Sequence, residues 1–297
     1  KSRGDGTFVD LSGARGFPTA RTYSRAIAPA DYDNDGRVDL LVGNYRLQRN
    51  FLFHSQGEAV SEVGSQAGIA GDNVQGRYGH SIGAVWTDLN GDEHIDLIIA
   101  NLAHPRFYHF SNRTKVYLGQ PDDTFRDVST ESGIPFQETH SVPAAADFNN
   151  DGRVDLAITA VYPGRPTDFL WGRGDGRFVD ARYGSGIETY NGWGAAIADV
   201  DNDGDMDLLQ VSVHGGYNVG EGRTTIAVNQ GADDNYRYEW NLDLLQRDAD
   251  SSFTHVGDMG GAWIDINYDG FLDVVIGQLG YEQGGVNTSG QTRLYVM

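Results

Sequence analysis

Five segments of this chain place oxygen-bearing side chains two residues apart, a spacing that lets a tightly curled backbone aim them at one point. They read DYDNDGRVDLLVG from Asp31, DLNGDEHIDLIIA from Asp88, DFNNDGRVDLAIT from Asp147, DVDNDGDMDLLQV from Asp199 and DINYDGFLDVVIG from Asp265. Positions 1, 3, 5 and 9 supply five candidate ligand sets. These are Asp31, Asp33, Asp35 and Asp39; Asp88, Asn90, Asp92 and Asp96; Asp147, Asn149, Asp151 and Asp155; Asp199, Asp201, Asp203 and Asp207; and Asp265, Asn267, Asp269 and Asp273. The backbone carbonyl of the seventh residue (Arg37, His94, Arg153, Asp205 or Phe271) offers a further oxygen. Hard oxygen ligands in this number suit Ca²⁺, whereas Mg²⁺ demands a stricter octahedron and keeps more of its water. With no cysteine and no histidine side chain at a ligand position, zinc and copper are disfavoured. About five structural Ca²⁺ ions are therefore expected.

Four of the five loops carry Gly at position 6, where a sharp bend is needed, and the second carries Glu93. That site is expected to be strained or weaker. A helical EF-hand is rejected, because the bidentate Glu at position 12 and the flanking helices are missing.

The bulk charge fits metal loading. Formal net charge is −20, with 22 Lys and Arg against 42 Asp and Glu. Seventeen carboxylates occupy positions 1, 3, 5 and 9, and five divalent ions would bring −20 to about −10. A nucleic-acid partner is disfavoured for want of a basic surface. The absence of cysteine removes both disulfides and thiolate chemistry, leaving metals as the available staples. Weak calcium sites fill outside cells, so a secreted or cell-surface location is expected. No apolar run is long enough to span a membrane as a helix. The chain opens at Lys1 without a leader, reading as a mature or trimmed form.

Other chemistry is sparse. Arg3-Gly4-Asp5 and Arg173-Gly174-Asp175 occupy the same repeat position ahead of an aromatic strand, so a hairpin turn explains both. No nucleophile elbow, phosphate loop or dinucleotide fingerprint occurs, and no catalytic residue is assigned. Tyr23, His80, His140 and Trp193 stand ahead of the first strands, while His104, Arg106, Tyr162, Arg165, His214, Tyr217 and Tyr281 lie in loops after the second. Gathered on one face, such aromatic, His and Arg groups could stack on and hydrogen-bond to a glycan or a protein chain.

The elements that must position these residues repeat with them. Small residues precede each loop (Ala26-Ile27-Ala28, Gly83-Ala84-Val85, Ala144-Ala145-Ala146, Ala195-Ala196-Ile197, Gly260-Gly261-Ala262), and an apolar run such as Leu97-Ile98-Ile99 follows. A third short strand, a Gly/Asp turn, a fourth strand and a closing Gly-Ile complete a unit. From Asp31 to Asp88, Asp147, Asp199 and Asp265 the period is 57, 59, 52 and 66 residues. Four short strands in one such unit form an antiparallel meander that cannot bury both faces alone; radial stacking solves this. The predicted fold is an all-β propeller of five four-stranded blades over 1–297, a single domain with the loop between first and second strands. Tail and head read TRLYVM and KSRGDGTFVD, matching the third and fourth strands of a unit, so ring closure by the two termini is expected. A segment of a larger propeller, or termini that pair between chains, are the alternatives.

The phrase D-x-[DN]-x-D-G-x-x-D-[LV] before an apolar run resembles the FG-GAP/VCBS repeats of integrin-α propellers. The added G-D-G-x-F-x-D and Gly-Ile phrases are most similar to bacterial and cartilage-acidic-protein-type members. The resemblance implies a β-propeller with calcium between the first and second strands, in a family that includes adhesion receptors, lectin-like modules and polysaccharide lyases. The expected function is a calcium-stabilised extracellular binding, adhesion or assembly module with a glycan or protein ligand. Two alternatives stand beside it: a polysaccharide-lyase-like enzyme using His and Tyr, and a self-assembling surface or filament subunit.

Overall fold

The computed structural model describes residues 2–102, 109–136, 139–162, 165–187, 191–212, 224–241, 244–245, 258–278, 282–283, 286–287 and 292–296. Its strands assemble into five antiparallel sheets, the blades of a β-propeller fold. Two compact units divide the chain, residues 1–88 with 92–128, and residues 89–91 with 129–297.

The first unit holds two blades. One is β1 (Ser24–Ala30), β2 (Asp39–Asn44), β3 (Phe51–Ser55) and β4 (Val60–Glu62); the other is β5 (Ser81–Thr87), β6 (Asp96–Asn101), β7 (Lys115–Gly119) and β8 (Phe125–Asp127). The second strand is the most deeply placed, with all six residues of β6 buried, as expected of a strand covered on both faces. Leu41, Leu52, Ile69, Leu97, Ile99, Tyr117 and Phe125 form one core drawn from both blades. The Trp86 indole N–H donates to the Ala28 carbonyl at 3.1 Å and ties the two first strands.

The second unit holds three. The third blade is β9 (His140–Ala146), β10 (Asp155–Ala160), β11 (Asp168–Gly172) and β12 (Phe178–Asp180); the fourth is β13 (Gly192–Ala198), β14 (Asp207–Ser212), β15 (Thr225–Asn229) and β16 (Tyr238–Asn241). The fifth comprises β17 (Asp258–Ile264), β18 (Asp273–Gln278) and β21 (Thr292–Tyr295), with a small hairpin of β19 (Glu282–Gln283) and β20 (Val286–Asn287) between the last two. Phe148, Phe169, Ile187, Leu208 and Tyr238 pack between the third and fourth blades, and Leu209, Val211, Ile226, Val274 and Ile276 between the fourth and fifth.

The small residues of the first strands have a steric cause. β13 lies beside both β9 and β17. A Cβ on Gly261 would sit 2.7 Å from the Leu209 side chain. The recurring Gly-Ile is a stitch to the next blade. Gly186 has φ +79°, a Cβ there would lie 2.2 Å from the Tyr238 carbonyl oxygen, and Ile187 beside it is buried. Every first hairpin also slips register by one residue near its open end, as at Ser24/Ala26, Ser81/Gly83, Gly192/Gly194 and Asp258/Gly260. Such bulges re-aim the side chains at one end of a blade.

Three strands are described in the fifth sheet, so the fourth-strand place that the sequence gives to Thr7–Asp10 has no described occupant there. That phrase makes one isolated bridge, Ser2 with Phe8. Both RGD tripeptides are tight turns. The Asp5 carboxylate accepts from the Thr7 N–H at 2.9 Å and Asp175 from the Arg177 N–H at 3.1 Å, and Gly4 and Gly174 have φ of +82° and +72°.

Candidate functional site

Each acidic phrase closes into the same hydrogen-bonded curl between the first two strands of its blade. Asp31 Oδ1 accepts from the Asp35 N–H at 3.0 Å and Oδ2 from the Gly36 N–H at 2.8 Å. Asp147, Asp199 and Asp265 make the equivalent pairs. Position 5 accepts from the N–H of position 7, so Asp35, Asp92, Asp151, Asp203 and Asp269 hold Arg37, His94, Arg153, Asp205 and Phe271 by the backbone. In three loops Asp33, Asn149 and Asn267 also accept from the position-5 N–H. Two left-handed residues make the curl possible: Asn34, Gly91, Asn150, Asn202 and Tyr268 at position 4, and Gly36, Gly152, Gly204 and Gly270 at position 6. Glu93 adopts φ +69° at that sixth position, conforming to the loop at the cost a side chain meets there. Its N–H still reaches Asp88 Oδ2, at 3.1 Å.

Position 9 has a structural role that spacing alone does not reveal. Asp39, Asp96, Asp155, Asp207 and Asp273 are all buried. Asp155 accepts from the Phe148 N–H at 2.9 Å and the Gly172 N–H at 2.7 Å. Asp207 does the same with Val200 and Asn229, and Asp39 with Tyr32 and Ser55. Asp96 accepts from Gly119, and Asp273 from Ile266. In the first four loops the carboxylate thus pins the loop to the end of the third strand.

These arrangements leave anionic oxygens crowded together. Ligand atoms of Asp31, Asp33 and Asp39 lie within 4.8 Å of one another, as do those of Asp199, Asp201 and Asp203, and those of Asp33, Asp35 and His54. Burial pushes the Asp155 carboxyl up to about 7, with the charges of Asp151 and Asp147 adding to it. Asp207 is pushed up to about 6 by burial, helped by Asp201 and Asp203. Asp39 and Asp201 are also raised, chiefly by desolvation. Carboxylates that resist ionising in the bare fold, beside converged oxygen donors, are the donor set a hard divalent cation fits.

The sequence-selected surface residues divide. Tyr23 and His80 come into one cluster in the first unit, beside Tyr45, Arg25 and Arg46, which sequence reading missed. The Arg46 guanidinium sits 4.3 Å from the Tyr23 ring centroid, Arg25 lies 5.3 Å from that of Tyr45, and the Tyr45 and His80 rings are 4.6 Å apart. His80 is buried, and its Nδ1 accepts from the Arg46 N–H at 3.1 Å; Tyr23 is 47% exposed. Arg46 and Leu47 have φ of +54° and +60°, a tight turn that carries the guanidinium back over Tyr23.

His140 is a correction: it is wholly buried, with Nε2 2.8 Å from Asp168 Oδ2, and Arg182 holds the other Asp168 oxygen at 3.2 Å. It is part of a buried hydrogen-bonded network around Asp168 and not of a surface. Trp193 is half-buried in the β13 bulge, where its carbonyl accepts from the Ser141 hydroxyl at 2.8 Å. Tyr162 is exposed at φ +84°, and its carbonyl accepts from the Arg165 N–H at 3.3 Å. His104, Arg106, His214, Tyr217 and Tyr281 lie outside the described residues.

A sequence profile of the FG-GAP-like repeat matches residues 1–42, 88–158 and 147–209, together more than half of the chain. Human cartilage acidic protein 1 is 25% identical over 174 residues, 53% of this chain and 23% of that protein. The chain thus spans about a quarter of the curated relatives it matches. Among solved structures, an Agrocybe aegerita lectin that recognises non-reducing terminal N-acetylglucosamine superposes with a TM-score of 0.51 and 16% identity, over 93% of this chain and 67% of the lectin. An arginine-substituted AofleA from Arthrobotrys oligospora gives 0.50 and 11%, over 91% and 72%. At these identities the likeness is one of fold. No helix among the described residues is long and apolar enough to cross a membrane.

Proposed function

We propose that this chain, which belongs to the FG-GAP-like repeat family, is an extracellular binding module: a calcium-stabilised scaffold that presents a glycan-binding surface from its non-repeating segments. The observation that carries the binding reading is the cluster of Tyr23, Tyr45, Arg25, Arg46 and His80. Sugars are recognised by aromatic faces for their C–H surfaces and by fixed polar donors for their hydroxyls. Tyr23 supplies an exposed ring, and Arg25 and Arg46 are exposed donors, Arg46 held in place by its own turn. The lectin of the same fold makes a glycan the first probe, and a protein ligand is the other class the same variants test.

The side chains at positions 1, 3, 5 and 9 of each loop would hold the cation. A divalent ion there supplies charge neutralisation to acids that the fold crowds together. The chain's own contribution is the curl that aims the oxygens and the position-9 carboxylate that anchors the loop to the third strand. A cation-filled loop therefore stiffens the blade, and binding is assigned to segments that differ between repeats.

The test is a glycan array in millimolar calcium, followed by titration of hits into Tyr23→Ala and Arg46→Ala. Loss of binding in both, with Tyr268→Ala unaffected at its exposed loop position, supports the reading. Unchanged binding in Tyr23→Ala and Arg46→Ala would move the ligand site elsewhere.

A further inference from the structure

We infer that the first loop is chemically unlike the other four and takes zinc, or a neighbouring late first-row dication, with His54 as a nitrogen ligand. This rests on the loops being divalent-cation sites and names the metal class at one of them. The observation is a histidine that belongs to no acidic phrase. His54 lies in β3, directly after Phe53, which pairs with Leu40. The same register position is Leu118 in the second blade, Trp171 in the third, Val228 in the fourth and Val296 in the fifth. Among the described residues, only the first blade's third strand sets a side chain able to ligate a metal at this position.

The geometry around it is built. His54 Nδ1 stands 3.0 Å from Asp33 Oδ2 and 3.5 Å from Asp39 Oδ1. At 3.0 Å a hydrogen bond is within range, yet the carboxylate lies off the ring N–H direction and Nδ1, sealed from solvent, has no hydrogen-bond partner. Separations of 3.0 and 3.5 Å are those of neighbouring ligands on an ion with bonds of about 2.1 Å, at angles of about 90° and 110°. Three supports fix the imidazole. The next residue, Ser55, donates its N–H to Asp39 Oδ1 at 2.7 Å. Its carbonyl accepts from the Arg37 guanidinium at 2.8 Å. Tyr32 meets the His54 ring edge-on at 6.2 Å.

Asp31, Asp33 and Asp39 converge, as do Asp33, Asp35 and His54, so the loop offers an imidazole with several carboxylates. Ca²⁺ and Mg²⁺ prefer oxygen alone, while imidazole with carboxylate suits zinc and its late neighbours. By sequence zinc is disfavoured because no histidine side chain stands at a ligand position of a phrase; the fold delivers one from the adjacent strand.

The experiment titrates Zn²⁺ calorimetrically into the full calcium-loaded chain, with Co²⁺ visible absorption as a second readout of a nitrogen-containing site. The expected result is one Zn²⁺ per chain that displaces calcium from a single loop. In His54→Leu, which installs the side-chain type of Leu118, that site is weakened at least roughly tenfold while calcium at the other loops is kept. Should the leucine variant fold poorly, His54→Gln gives the same comparison with a polar side chain. Equal zinc binding by wild type and both variants overturns the assignment, as does a wild type that binds calcium but no zinc. Binding of neither metal would refute the cation loops themselves.

Discussion

Emptying the proposed cation loops should invert the pH dependence of stability, and the buried position-9 acids give the size of the effect. In the cation-free chain Asp155 sits near 7 and Asp207 near 6, against an ordinary value of 3.8. A carboxyl whose folded value is raised favours the folded state when protonated. That contribution is present below the unfolded value and is lost as pH rises through the folded one. Each unit corresponds to about 1.4 kcal/mol. Two acids raised by about 3 and 2 units give an upper limit of roughly 7 kcal/mol; allowing for relaxation and water entry, about 3 kcal/mol is expected. For a chain of this size that is about 6 °C in Tm.

The metal-stripped protein, melted in chelator-treated buffer, should therefore rise by several degrees in Tm between pH 7.5 and pH 5. With calcium present the sign reverses, because the loop carboxylates are then held ionised and acidification displaces the ion. The exposed acids held low by their turns, Asp5, Asp10 and Asp122, act only below their ordinary range and leave this window alone. Asp155→Asn and Asp207→Asn should flatten the cation-free slope. A stripped protein that loses stability from pH 7.5 to 5, as the calcium form does, would refute the reasoning.

Backbone geometry supplies two further expectations. Glu93→Gly relieves a left-handed side chain and should raise stability by about 0.5–1 kcal/mol, read by urea denaturation, the strain relief being partly offset by a floppier unfolded chain. No gain would mean that the second loop tolerates Glu93 without strain. Gly186→Ala should cost about 3 kcal/mol or more, because its Cβ would meet the Tyr238 carbonyl oxygen at 2.2 Å. Gly36→Ala, at φ +83° but with open space, should cost only about 1 kcal/mol without calcium; equal costs would remove the stitch between the third and fourth blades.

What the chain reveals by inspection follows from what repeats. The five phrases, the small first strands and the β-branched second strands are legible because each obeys a local rule. Oxygens two residues apart curl a loop, and a run such as Leu97-Ile98-Ile99 can only be buried. What stays hidden depends on neighbours distant in sequence. His54 looks like any strand residue until the pairing of its neighbour Phe53 with Leu40 and Glu62 sets it against Asp33. Arg46 becomes a partner of Tyr23 only through two consecutive left-handed residues, which its sequence does not announce. His140 reads as a surface candidate because its partner Asp168, and the Arg182 that pairs with Asp168, arrive 28 and 42 residues later. The closing Gly-Ile was visible as a repeat, but its reason, contact with the following blade, was not.

The central claim is that the repeated acidic curls are cation sites that hold the fold together. The most direct measurement is calcium bound per chain by equilibrium dialysis of the stripped protein, followed by melting of the same samples. About five ions per chain, with Tm rising as they bind and magnesium substituting poorly, is the predicted result. No bound calcium at millimolar concentration, with an unchanged melt, would contradict it.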